Sequence, residues 1–222
     1  MDIPLIFENK NFLVINKPSG LVVHPYDHST EKTLLDFLEG HAPETFLLHN
    51  EKKLMDGRTV NLGGLVHKLD RDTSGVMVIA KNKKTFDELT KQFIKHTIEK
   101  IYSALIEGVL EKDTMRINAP LGRNKKDYKQ HVNPNNPRGE LRDAITDVRV
   151  RERRDTTTLV ELSPRTGRTH QLRAHMLYIG HPIVGDKAYG STIDSPRIML
   201  HAKQLSFTLF GENFIFEAKE VF

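Results

Sequence analysis

The feature that most restricts the fold is the junction "GLVHKLDRDTSGVMVIAK", Gly64 to Lys81. Its second half holds the apolar run Val76 to Ala80, too short for a helix and rich in β-branched side chains, which reads as a fully buried strand. Its first half delivers His67, Lys68, Asp70, Arg71 and Asp72 to the point where the chain enters its core. A strand fed by an ordinary surface loop has no need of that much charge at its mouth. The junction is therefore a candidate site for chemistry.

Elsewhere the hydrophobic period changes often. Leu5 to Lys17 gives two short strands parted by a polar turn at Glu8 to Asn11, and Pro18 to Pro25 gives a turn and an extended piece. Thr33 to Leu38 reads as a short helix, and Glu51 to Gly64, with Asp56-Gly57 and Gly63-Gly64, as a loop or small hairpin. Lys83 to His96 is an amphipathic helix with Phe86, Leu89, Phe93 and Ile94 on its apolar side and Asn82 or Thr85 near its start. Glu99 to Gly108 alternates as a strand. Thr146 to Arg154 and Thr157 to Pro164 pair antiparallel around "DTT", Thr169 to Ile179 is helical, and Ile198 to Ala218 is a hairpin turning at "GEN". Many strands with two or three helices predict an α+β class, with helices flanking a mixed, largely antiparallel central sheet.

A chain of 222 residues without repeat or linker predicts one domain, 1–222. Cysteine is absent, which excludes disulfides and thiolate metal sites and fits a reducing compartment. Asp2, Glu8 and Lys10 interrupt the first apolar stretch, against a signal peptide. No apolar run nears the roughly 20 residues of a membrane span. These points predict a soluble, cytoplasmic chain without a membrane partner.

The net charge is only +4, but from Arg116 to Arg154 eleven Lys or Arg face five Asp or Glu. Such a segment suits a phosphate backbone or, equally, a solvated loop.

Each candidate residue has a plain and a chemical reading. Asp70, before Thr73-Ser74-Gly75, is either a turn carboxylate or a catalytic one. His67, Asp70 and Asp72 match no specific metal-ligand spacing. On a helix from Thr169, Leu172, Met176 and Ile179 form the core stripe and Arg173 lies at its edge with His170 and Leu177, in want of a carboxylate or phosphate partner. His170 and His175 are about 140° apart in projection, too far to share a metal, and His175 reads as structural. Asp186, after that helix, reads as a backbone-bonding turn residue. Tyr102 shares strand parity with Ala104 and Ile106 and is a core tyrosine from the strand alone.

Taken together, "HKLDRDTSGVMVIAK", "NKPSGLVVHP", "EKIYSALIEG", "LSPRTGRTHQLRAHMLYIGHPIVGDKAYG" and "IMLHAKQLSF" resemble, in order and over almost the whole chain, the RluA family of pseudouridine synthases. The resemblance implies an RNA uridine isomerase that needs no cofactor and no metal. Its implied catalytic residues are Asp70, Tyr102 and Arg173, with the arginine paired to the aspartate. Lys68, Arg71, Arg123, Lys125, Lys126, Arg168 and His170 are the expected RNA-binding side chains around a flipped-out uridine. Lys68 stands where the family signature usually has arginine. The resemblance further implies a stand-alone catalytic domain without the extra S4-type domain, acting as a monomer on large-subunit ribosomal RNA or tRNA. Its rivals are a metal-dependent phosphoesterase using His67, Asp70 and Asp72, and a non-catalytic RNA-binding module.

Overall fold

The computed structural model describes residues 2–123, 129–132, 137–220 and 222. The chain divides into two compact units, Met1–Ile98 with Gln204–Ala218, and Glu99–Lys203 with Lys219–Phe222.

In the first unit, β1 (Leu5–Glu8) and β2 (Phe12–Lys17) form an antiparallel hairpin. Its turn is held by Asn9, whose carboxamide oxygen accepts from the amides of Asn11 and Phe12 at 2.8 and 3.0 Å. Helix α1 (Leu34–His41) starts where Asp36 accepts from both the amide and the hydroxyl of Thr33, and it runs three residues beyond Leu38. The short hairpin β3 (Glu51–Lys53) and β4 (Thr59–Asn61) falls where a loop or hairpin was expected.

Strand β5 (Ser74–Ala80) is buried at every residue, as its apolar run demands. It pairs antiparallel with β2 from Phe12↔Ala80 to Lys17↔Gly75. Helix α2 (Lys83–Lys95) is capped by Asn82, which accepts from the Thr85 amide. Leu89 is buried and Phe86 and Phe93 pack partly buried against the same cluster as Phe12, Val14, Val76 and Val78. Ile94 departs from expectation and is 72% exposed. It lies roughly 80° from Phe86 in projection, on the opposite side of that stripe from Leu89.

The second unit contains β6 (Glu99–Glu107), β7 (Thr114–Asn118), β8 (Leu121–Arg123), β9 (Gln130–Val132), β10 (Ile145–Arg153), β11 (Thr157–Pro164) and α3 (Gln171–Tyr178). Strands follow the order β6-β11-β10-β7, antiparallel throughout, and β8 pairs β9 separately. Leu172 and Met176 of α3 pack with Ala104, Ile106, Val160 and Leu162 of β6 and β11.

The chain closes with β12 (Leu200–Leu209) and β13 (Glu212–Glu217). Their register ends at Leu209↔Glu212. The turn is therefore Phe210-Gly211, earlier than the expected "GEN", with both φ values positive at 54° and 87°. That pair of left-handed residues matches the twist of the flanking strands. The expected α+β class with a largely antiparallel sheet is borne out.

One glycine is required by close approach. The Gly64 carbonyl accepts from the Ala80 amide at 2.9 Å, and a Cβ on Gly64 would collide with the Ala80 carbonyl oxygen. Gly64→Ala is expected to destabilise the protein by about 2 kcal/mol or more. An unchanged midpoint of chemical denaturation would show that the backbone there yields easily.

Candidate active site

The turn that carries Asp70 is held by the main chain. The Thr73 amide donates to the Asp70 carbonyl at 3.2 Å, and the Gly20 amide to the Arg71 carbonyl at 2.9 Å. The Ser19 hydroxyl donates to the Asp72 carbonyl at 2.7 Å. Lys17, at the end of β2, completes the arrangement. Its ammonium is fully buried and donates to the carbonyls of Pro18, Leu21 and Arg71, each at 2.8 Å. Three carbonyl dipoles replace the water that a buried cation would otherwise lose. In the sequence, the one signal for this burial is the parity of Lys17 with the buried Leu13 and Ile15.

Around this turn Asp70 is half-buried, while Lys68 and Arg71 are exposed. Arg71 pairs with Glu31 at 3.1 Å. Such surface pairs are weak, so the guanidinium can exchange to another anion at little cost. His67 is engaged structurally. Its Nε2 accepts from the Val78 amide at 3.1 Å, and its ring stacks on Phe93 with centroids 4.5 Å apart. Among the described residues no group of three or more His, Cys, Asp or Glu is placed to hold a metal ion.

In the second unit, Tyr102 lies on β6 half-buried against the cluster that includes Leu172 and Met176. Helix α3 starts at Gln171, so His170 precedes it instead of lying within it. The Gln171 carboxamide oxygen accepts from the Arg168 amide and the Thr166 hydroxyl, which closes the preceding turn. His170 takes a left-handed conformation, and its Nδ1 lies 3.0 Å from the Tyr189 hydroxyl.

The core stripe Leu172, Met176 and Ile179 is found as expected, but the place of Arg173 at its edge is corrected. Six consecutive residues, Gln171 to Met176, are buried, and Arg173 lies inside with them instead of at an edge. Its burial is possible because Asp186 grips it. Nε and Nη2 donate to the two carboxylate oxygens at 2.6 and 2.8 Å. The guanidinium also lies over the Tyr189 ring, 4.7 Å from its centroid. A bidentate, stacked arginine is held in one orientation, and this pair leaves Nη1 outside it. Asp186 additionally accepts from the Tyr189 amide at 3.2 Å, the backbone role expected of it.

His175 is the structural residue that was expected. Its Nδ1 meets the Thr146 hydroxyl at 2.9 Å and its Nε2 the Ala119 carbonyl at 3.0 Å. Burial pushes its pKa below the ordinary histidine range.

Most arginines of the basic segment fall into two groups, and Arg168 from beyond it joins the second. Arg116 pairs with Asp147, Arg151 with Glu161, Arg153 with Asp113 and Arg154 with Glu152. Arg123, Arg138, Arg142 and Arg168 instead line a cleft of about 540 Å³, with Glu140 the carboxylate among its lining residues. Arg168 is oriented by a 3.0 Å bond from its Nε to the Asp143 carbonyl. Arg138 and Arg142 were counted in the segment but not singled out. Lys125 and Lys126 lie outside the described residues.

Known proteins resemble this chain over most of its length. The family model described as RNA pseudouridylate synthase matches residues 11–178. A Bacillus subtilis protein named as an uncharacterized RNA pseudouridine synthase is 37% identical over 222 residues, covering 98% of this chain and 69% of that protein. The ribosomal large subunit pseudouridine synthase D of Nitrosomonas europaea is 38% identical over 214 residues, covering 92% of this chain and 57% of that protein. This chain thus spans little more than half the length of the second relative. The solved structure of human RNA pseudouridylate synthase domain containing 1 superposes with a TM-score of 0.78 at 26% identity, over 98% of this chain and 83% of that one. The chain belongs to the RNA pseudouridylate synthase family, whose named members are isomerases.

Two outcomes follow from the second unit. Asp186→Asn should destabilise the protein by roughly 3–5 kcal/mol, because it takes the bidentate carboxylate away from a buried guanidinium. A loss below about 1 kcal/mol in chemical denaturation would show that the pair is not what holds Arg173. His175 stays neutral in the folded state, whereas the unfolded chain takes up a proton there below about pH 6.5. Its contribution is complete above that pH and is lost as pH falls toward the depressed folded value. The denaturation midpoint should fall between pH 7 and pH 5.5, and His175→Gln should flatten that fall.

Proposed function

We propose that this chain converts uridine to pseudouridine in RNA, with Asp70 as the catalytic carboxylate, Tyr102 as the aromatic acting on the detached base, and Arg173 as the cation that keeps Asp70 ionised. The observation that carries this reading is that all three residues fall inside the family match at residues 11–178, on elements that fix them. Asp70 rides on a turn anchored by Lys17 and Ser19. Arg173 is clamped by Asp186.

The reaction breaks the N1–C1′ bond, turns the uracil over, joins C5 to C1′, and moves the C5 proton out while N1 regains one. No electrons are gained or lost. A carboxylate sheltered from water drifts toward its neutral form unless a cation opposes this, and Arg173 supplies that opposition. Ionised Asp70 then serves as nucleophile toward the ribose or base, or as base toward a ribose proton; both routes use the same group. The Tyr102 ring offers the uracil a stacking surface, and its hydroxyl assists removal of the C5 proton.

The target atom is inaccessible within a stacked helix, so the uridine must flip out. The cleft arginines and Lys68 suit the phosphates around it, since guanidinium forks match phosphate oxygens. Arg71 joins them by leaving Glu31, and His170, just before α3, is assigned to the same RNA contacts. The Nitrosomonas relative is named for the ribosomal large subunit, and large-subunit ribosomal RNA or tRNA is the substrate class we assign. The chain acts as a cytoplasmic monomer in this reading. Among the described residues no helix is long and apolar enough to cross a membrane. A phosphoesterase centre at His67, Asp70 and Asp72 is disfavoured because the His67 Nε2 is occupied by the Val78 amide.

The test is Asp70→Asn beside Asp72→Asn. Mapping pseudouridine in total RNA from cells lacking this protein and supplied with each variant should show wild-type conversion, about a 10³-fold or greater loss of rate with Asp70→Asn, and a mild effect of Asp72→Asn. RNA affinity of Asp70→Asn should remain. Conversion by Asp70→Asn near the wild-type rate would remove the catalytic assignment.

A further inference from the structure

Lys100 is a lysine in the second unit that the reaction above does not use. It stands two residues before Tyr102 on β6, so both side chains leave the same face of the strand. That face packs Tyr102, Ala104 and Ile106 with Leu172 and Met176 of α3. Lys100 is half-buried near the start of the strand. A methyl group placed on Gly167 would stand 4.0 Å from its Nζ, so the ammonium lies beside the bare backbone of the loop before α3. Burial pushes its pKa below the ordinary lysine range, and among the described residues no carboxylate acts in the other direction.

An ammonium that loses water without gaining a counter-charge is unfavourable, and the ligand that would relieve it is an anion. The surroundings say which kind. Gly167 also lines the cleft of Arg123, Arg138, Arg142 and Arg168, so the loop that touches Lys100 borders a groove of positive charge. Lysine is a compact point charge with three donors and no acceptor, suited to a phosphate oxygen more than to a planar base edge.

We infer that Lys100 is a phosphate-binding residue for the RNA substrate, engaging the backbone beside the nucleotide presented to Tyr102 and continuing the contacts of the arginine cleft. This rests on the RNA isomerase reading and adds to it a specific contact on β6. Lys100 holds the strand and takes no part in bond making or breaking.

The probes are a twelve-nucleotide oligouridylate and the same sequence with neutral methylphosphonate linkages, each titrated with the full chain by fluorescence anisotropy at several salt concentrations. Lys100→Gln should weaken binding of the charged probe roughly three- to tenfold at low salt and lower the slope of log affinity against log salt by about 0.7, the value for one phosphate contact on a single strand. On the neutral probe, wild type and Lys100→Gln should bind alike. Lys100→Arg should recover most of the loss. Lys100→Met keeps the aliphatic stem and removes the desolvated charge, so it should fold at least as stably as wild type and reproduce the binding defect if the glutamine variant melts early.

Equal affinity and slope for wild type and the charge-removing variants on the charged probe would overturn the inference. An equal loss on both probes would do so as well, since it would place the contact on a base. Wild type binding the two probes equally would also count against it. Conversion of uridine in total RNA is scored separately for the wild type. Conversion without any difference at Lys100 sinks this inference alone, whereas absence of conversion sinks the reading beneath it.

Discussion

The first unit depends on satisfying a strand that has no exposed residue. A buried strand must hand every amide and carbonyl to a partner, because an unpaired one costs about as much as a hydrogen bond gains. β2 takes one side of β5 along its length. Toward the end of the strand, the Gly64 carbonyl takes the Ala80 amide and the His67 ring takes that of Val78. Both partners come from the segment just before the strand. The chain therefore has to fold back along β5 before entering it, and that doubling back sets where Asp70 stands.

In the second unit the equivalent constraint is the burial of a guanidinium. Arg173 lies among six buried residues of α3, where a carboxylate and an aromatic face meet it from the segment that follows the helix. The same Tyr189 hydroxyl meets His170 and the Gln130 amide. One tyrosine thus ties together the start of α3, the clamp on its arginine and the hairpin β8–β9. Charge is handled differently on the outer strands, where arginines of β7 and β10 find carboxylates locally. Net charge along the sequence could not separate those arginines from the ones lining the cleft.

Much of this was legible in the residues. The apolar run of β5, the Asn82 cap of α2 and the alternation of β10 and β11 each follow from local chemistry, and local chemistry is what a sequence displays. Asp186 was read only as a turn residue because its partner Arg173 is thirteen positions away on a helix whose burial is tertiary. Ile94 misled because an apolar residue near a stripe need not be in it. The turn at Phe210-Gly211 was placed too late because a phenylalanine is not expected in left-handed conformation. Lys17 was visible through parity, yet a lysine at a strand end is ordinarily solvated, and only the three carbonyls around it overturn that expectation.

The lysine cage also links events in time. Two of its carbonyls, from Pro18 and Leu21, lie within four residues of Lys17, whereas the third, from Arg71, is 54 residues further along. As the chain emerges in order, the first two are available early, but the ammonium keeps its water until the last arrives, because an incomplete cage is worse than hydration. Dehydration of Lys17 and closure of the turn bearing Asp70 are thereby coupled, since the carbonyl that completes the cage belongs to that turn.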